Sequence, residues 1–294
     1  MRRTTIILTA VLLSVIAVKT MPPDQGEAFI TVVLLNAIGI VLLSFWEEKE
    51  AAHRVPRRLF CAWNVVDVLL ALCVFQLVMF GLSELTRASF PAAWPQWVPS
   101  GMTGLGSILM CVMIFAYLRR RYGLMPGDVG LRASGGPRVL LLVLGFFFAV
   151  RAFQLPMTWL FSYLHALYRV EPEIQQVLQH MREVPSLGGL IVTVVVAAVV
   201  APVTEEIMFR GVLQPFFRRY LGGAGSIIVV AVLFSLVHEP TSRFMMTPAL
   251  IFPLALALGY CYHRTQSLTA PILLHALHNL LPVVMLLHQR ATAS

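Results

Sequence analysis

Charge is scarce in this chain of 294 residues: 12% are Asp, Glu, Lys or Arg against 58% hydrophobic, and the mean hydropathy is +0.80. A composition so poor in charge excludes an ordinary water-soluble domain and marks an integral membrane protein. Lysine is nearly absent. Lys19 and Lys49 are the only two and both flank apolar runs, which leaves a Ser–Lys dyad without a base. Aspartate is equally rare: of Asp24, Asp67 and Asp128, the first and last fall in loops, so no intramembrane aspartyl pair can form. The four cysteines (Cys61, Cys73, Cys111, Cys261) stand singly, with no CxxC or metal-ligand spacing, and read as buried thiols. There is no GxSxG elbow, and His238-Glu239-Pro240 does not extend into HExxH.

What is present is a series of apolar runs of spanning or near-spanning length, at about 4–19, 28–46, 61–82, 101–118, 138–155, 187–204, 225–238, 247–262 and 268–288. They predict an all-α, polytopic transmembrane bundle of eight or nine spans. The first run follows Arg2-Arg3 but lacks a small-x-small cleavage site, so it is expected to be a retained helix. The net charge of +8 could suggest nucleic acid, but the arginines sit in short clusters between apolar runs, with no aromatic-basic platform. They set topology instead, because cytoplasmic loops carry the excess of Lys and Arg. Strict alternation across nine spans puts Arg2-Arg3, the 47–60 loop, the 119–138 loop, Arg218-Arg219 and Arg264 on the cytoplasmic side. Outside lie 83–100, anchored by Trp94 and Trp97, and 156–186, which is expected along the membrane surface. The Gly- and Arg-rich loop before 137 divides N-terminal helices and a basic cytoplasmic linker (1–136) from a C-terminal core (137–294). Short loops and Arg-rich flanks fit a multi-pass bacterial inner-membrane protein with a cytoplasmic N-terminus.

Ionisable residues inside spans are costly and are functional-site hypotheses by default. Three places in the C-terminal half qualify. In Glu205-Glu206-x-x-x-Arg210, Glu206 and Arg210 share a helical face, where carboxylate can meet guanidinium, while Glu205 points ~100° away. Phe234-x-x-x-His238 ends one apolar run, and His275-x-x-His278-Asn279 lies within another. Counted at ~1.5 Å per residue from the flanks, the three groups can meet at one level in an intramembrane cavity of the C-terminal half. This requires the Glu-bearing helix to run past Arg210 towards Phe217, kinked at Pro202, which is tolerated where a cavity is lined. Carboxylates, imidazoles and a carboxamide held together can activate water and stabilise an oxyanion, a set suited to hydrolysis. Taken alone, each group also has a bland reading: the glutamates as an interfacial cap, His278 as a packing or supporting hydrogen bond, and His263 as an interfacial residue.

EExxxR, FxxxH and HxxxN on successive apolar helices, with "LGYCYHRTQSLTAPILLHALHN" between and around the last two, resemble the CPBP family of intramembrane proteases (CAAX protease and bacteriocin-processing), including its Ras-converting CAAX endoprotease type. The likeness covers about 187–288; the first four helices match no pattern of it. It implies an intramembrane endopeptidase acting near a membrane-embedded or lipid-tethered end of a membrane protein or peptide. Glu205 would be the general base, assisted by His238; His275 and Asn279 would stabilise the oxyanion, and Glu206 and Arg210 would support them. The resemblance also raises a metalloprotease, in which Glu205, His238 and His275 would hold Zn2+. Glu/His/His is an acceptable zinc set, yet EExxxR lacks the i,i+4 His pair of helical zinc sites, so the sequence leans to a glutamate mechanism with no cofactor. The competing expectation is a non-catalytic membrane binding protein, such as a bacteriocin immunity factor or secretion partner. A transporter is disfavoured because paired broken helices in two similar halves are missing.

Overall fold

The computed structural model describes residues 63–71, 73, 74, 78, 97–131, 136–169, 187–238 and 246–293. The expected runs at 4–19 and 28–46, Trp94 and the surface segment beyond 169 lie outside these. Within the described residues the fold is all-helical, with five helices long and apolar enough to cross a membrane. After helical residues at 65–71 come α1 (Trp97–Tyr122), a 3-10 turn (Pro126–Val129) and α2 (Pro137–Leu167). α3 (Leu187–Val195) runs through a wide π turn (Val196–Val200) into α4 (Ala201–Glu206), a second π turn (Ile207–Leu213) and α5 (Gln214–Leu236). α6 (Met246–Thr265) and α7 (Thr269–Ala293) complete the bundle.

One expectation about helix limits changes. The run expected at 138–155 is a helix to Leu167, because a residue such as Pro156 can sit inside a long apolar helix whose neighbours hold it. The runs 187–204 and 225–238 are arms of one hairpin. Its apex is Gly222, at φ 69° and ψ −172°, a conformation open essentially only to glycine. In an unbroken helix Phe209 and Phe234 would be ~37 Å apart. Their rings instead stand edge to face at 4.9 Å, so the chain doubles back.

The basic turns gather at one end of the bundle. Leu268 N–H donates to Gly130 O at 2.8 Å, joining the turn after α1 to the α6–α7 turn, and His263 closes on Gly223 beside the hairpin apex. Residues from both sides of position 136 share one core. Trp63, Val65, Val68 and Leu69 pack with Met110, Ile114 and Leu118 against Met208, Val212, Phe216 and Phe217. Trp63 Nε1 donates to the Val212 carbonyl at 2.9 Å, and buried Asp67 accepts from Tyr117 Oη (2.7 Å) and Tyr122 Oη (2.5 Å). A second core, with Val143, Phe234, Leu254, Leu258 and Leu274 at its centre, clamps the hairpin against α2, α6 and α7.

A Cβ at Gly222 would meet nothing within 4 Å, so Gly222→Ala incurs backbone strain alone. The expected result is a loss of about 1–3 kcal/mol of stability, read as a lower thermal unfolding midpoint in detergent micelles. Gly127→Ala, at a position equally free of neighbours, is the control.

Candidate active site

The Glu-bearing helix does run past Arg210, and its irregularity is local. Pro202 brings no N–H and cannot close a regular turn. Instead, Ala201 N–H reaches back five residues to Val196 O, and Gln214 N–H likewise to Phe209 O. Such π turns recur at functional sites. Here they bracket the six residues that carry both glutamates.

Glu206 faces inward and is fully buried with Arg210. Its Oε1 accepts from Arg210 Nη1 at 2.9 Å across the predicted i,i+4 spacing and lies 2.9 Å from His275 Nδ1. Arg210 also donates from Nη2 to Ala255 O (3.1 Å) on α6, and its guanidinium lies 4.4 Å over the Phe234 ring. One carboxylate oxygen thus ties the hairpin, α6 and α7 together.

Glu205 faces the other way, into a cavity of about 230 Å³ lined by Ala197, Ala201, Glu205, Phe234, His238, Thr247, Ile251, Leu254, His275, His278, Asn279, Pro282 and Val283. Glu205 Oε2 stands 3.5 Å from His238 Nε2 and 3.9 Å from His275 Nε2. It is a buried oxygen without a hydrogen-bond donor. The imidazole orientations follow from their anchors. His238 Nδ1 is 2.7 Å from Phe234 O, a group that only accepts, so that nitrogen carries the proton. His275 Nδ1 likewise donates to the Glu206 carboxylate. In their neutral forms both rings turn an Nε2 lone pair towards Glu205.

Asn279 Nδ2 donates to Ala197 O at 2.9 Å. The first π turn explains why that carbonyl is free: Ala201 N–H, its α-helical partner, is used by Val196, and Pro202, its π partner, has no N–H. The amide is thereby fixed, with a second N–H unspent.

Glu205, His238, His275 and Asn279 are therefore brought together around one cavity, with the buried Glu206–Arg210 pair behind His275. The structure adds a residue the sequence reading passed over. Arg151, midway along α2, donates from Nη2 to His278 Nδ1 (3.0 Å) and to His278 O (3.1 Å). A lone arginine in the apolar stretch "FFFAVRAF" was the available signal. His278 lines the cavity beside Asn279. Beside the glutamates Met208 is buried in the core and Phe209 packs on Phe234, while His263, read as interfacial, sits at the hairpin apex.

For a metal, the donor chemistry is suitable: one carboxylate and two imidazole Nε2 atoms, with Glu205 Oε2 buried and without a donor. The spacing is not. Among the described residues no group of three His, Cys, Asp or Glu side chains stands where it could hold an ion.

The comparisons with known proteins centre on the same residues. Residues 187–281 match the family model described as "Type II CAAX prenyl endopeptidase Rce1-like". Over 189 residues, 63% of this chain and 71% of the relative, the chain is 24% identical to "Putative membrane peptidase YdiL" of Bacillus subtilis (strain 168). Over 119 residues, 40% of this chain, it is 34% identical to "UPF0177 protein YaiF" of Lactococcus lactis subsp. lactis (strain IL1403), half of whose length is spanned. No solved structure matches the chain. The matched stretch, the hairpin with α6 and about half of α7, carries all three motifs, and its likeness to the Rce1-like type II CAAX prenyl endopeptidase model and the Bacillus relative together support a membrane peptidase.

Proposed function

We propose that the protein is an intramembrane endopeptidase that hydrolyses a peptide bond near a membrane-embedded or lipid-tethered end of a membrane protein or peptide. The observation that carries this reading is the convergence of Glu205 with the Nε2 faces of His238 and His275 at a cavity within helices of spanning length.

The chemistry uses the chain's own side chains. Glu205 takes a proton from a water held between its carboxylate and His238 Nε2, and the resulting hydroxide attacks the scissile carbonyl. The carbonyl carbon becomes tetrahedral, its oxygen gains the charge, and the unspent N–H of Asn279 donates to it. The proton on Glu205 then passes to the leaving amine as the C–N bond breaks. Glu206 acts through His275, whose ring it orients and whose proton it holds at Nδ1; such orienting partners are a general feature of catalytic imidazoles. His275 therefore donates to the oxyanion only after gaining a second proton. The basic end of the bundle is assigned to the cytoplasm on the distribution of arginines, and the protein to a bacterial inner membrane on its short loops and its likeness to proteins of Bacillus subtilis and Lactococcus lactis.

The test is a comparison of membrane-protein N- and C-termini by terminal-peptide mass spectrometry. Cells carrying the wild-type protein are compared with cells carrying Glu205→Gln at equal abundance. The expected result is that at least one specific terminus is lost in the variant, which names the substrate and the cleaved bond. Coincident profiles, under conditions where deletion of the protein has a phenotype, would overturn the protease and leave a binding protein in its place. A second expected outcome concerns Asn279: once a substrate is known, Asn279→Ala lowers kcat by about 10²–10³-fold with KM little changed, as for other removed oxyanion donors.

A further inference from the structure

The proposed reaction leaves one cavity imidazole and one intramembrane cation unused, and the two are bonded to each other. Arg151 is the fifteenth of the 31 residues of α2, at a depth where a guanidinium is expensive unless it has a task. Among the described residues it has no carboxylate partner; both protons of Nη2 go to His278, one to the ring and one to the backbone. The backbone bond has a plain cause. Pro282, four residues on, supplies no N–H, so the His278 carbonyl is left open inside α7 and Arg151 closes it.

The ring bond has a chemical consequence. A guanidinium only donates, so His278 Nδ1 must be the acceptor, and the neutral ring then carries its proton on Nε2. That is the reverse of His238 and His275, whose Nδ1 protons are committed to Phe234 O and to Glu206. His278 Nε2 is neither buried nor bonded to any described group, and the residue lines the cavity next to Asn279. The site thus holds two imidazoles presenting acceptors and one presenting a donor.

We propose that His278 is a further catalytic residue, whose Nε2–H donates to the carbonyl oxygen of the scissile bond alongside Asn279, and that Arg151 is its positioning residue, fixing the donor tautomer. The inference rests on the protease reading and deepens it. It supplies the second neutral donor that an oxyanion site needs and that His275 cannot provide until it gains a proton.

The experiment measures steady-state kinetics of the full-length protein in detergent micelles. The probe is a fluorogenic peptide spanning the bond identified by the Glu205→Gln comparison. His278→Leu is expected to lower kcat by about 100-fold with KM changed by less than about threefold. His278→Gln, whose amide can donate from the same side, should recover roughly tenfold of that loss. Arg151→Leu should lower kcat by about tenfold or more, and Arg151→Lys, which still donates to Nδ1, should recover most of it. Leucine variants that keep the wild-type unfolding midpoint and kcat within about threefold would overturn the assignment, as would a glutamine variant no better than leucine. A failure of the protease reading is distinguishable, because the comparison of termini with Glu205→Gln then names no bond. In that event the imidazole ¹⁵N spectrum of histidine-labelled protein decides: an Nε2–H form at His278 that is lost in Arg151→Leu sustains the donor assignment, and an Nδ1–H form overturns it.

Discussion

A single carboxylate oxygen, Glu206 Oε1, holds the site together. It receives Arg210 from its own hairpin arm and His275 from α7, each at 2.9 Å, in a place no water reaches. A buried charge is tolerated when it is paired and hydrogen-bonded, and removal of either partner leaves the other uncompensated at a cost of about 3–5 kcal/mol. Arg210 extends the same connection to α6 through Ala255 O and rests on the Phe234 ring. His275 can face Glu205 with a defined nitrogen because Glu206 holds the other one. The two adjacent glutamates divide the work by direction: Glu206 points into the protein and Glu205 into the cavity.

The irregular backbone matters for the same reason. Inside a bilayer every open carbonyl must find a donor. Pro202 and its π turn open Ala197 O, and Asn279 answers it; Pro282 opens His278 O, and Arg151 answers it. In each case a proline on one helix recruits a polar side chain to the cavity wall. Trp63 serves a related end at the other wide turn, donating to Val212 O and so helping to hold the Glu-bearing hairpin in shape. These prolines and turns determine which polar groups face the cavity as well as where the helices bend.

Much of this was legible in the sequence. The all-helical membrane class followed from composition, and the pairing of Glu206 with Arg210 followed from a four-residue spacing within one helix. The outward turn of Glu205 followed from the ~100° step to its neighbour. The bonds between distant helices were not legible. Arg151 and His278 are 127 residues apart, and no local pattern says that α2 and α7 are neighbours. The reversal between the runs 187–204 and 225–238 followed from placing Arg218-Arg219 in a turn, but nothing in the sequence picked Gly222 out of Gly222, Gly223 and Gly225 as its apex. Helix α2 outran its expected end because the polar and aromatic residues after Pro156 looked like surface chain, whereas the helix keeps its backbone bonds to Leu167.

The central claim is that Glu206 is structural and Glu205 reactive, and unfolding in detergent micelles tests it without any substrate. Glu206→Gln leaves Arg210 a buried cation without a counter-charge, so its thermal midpoint should fall sharply, in keeping with a loss of about 3–5 kcal/mol. Glu205→Gln leaves a side chain of the same size and polarity facing the cavity and breaks no buried ion pair, so its midpoint should stay close to the wild-type value. Equal losses in the two variants, or a larger loss for Glu205→Gln, would contradict the account.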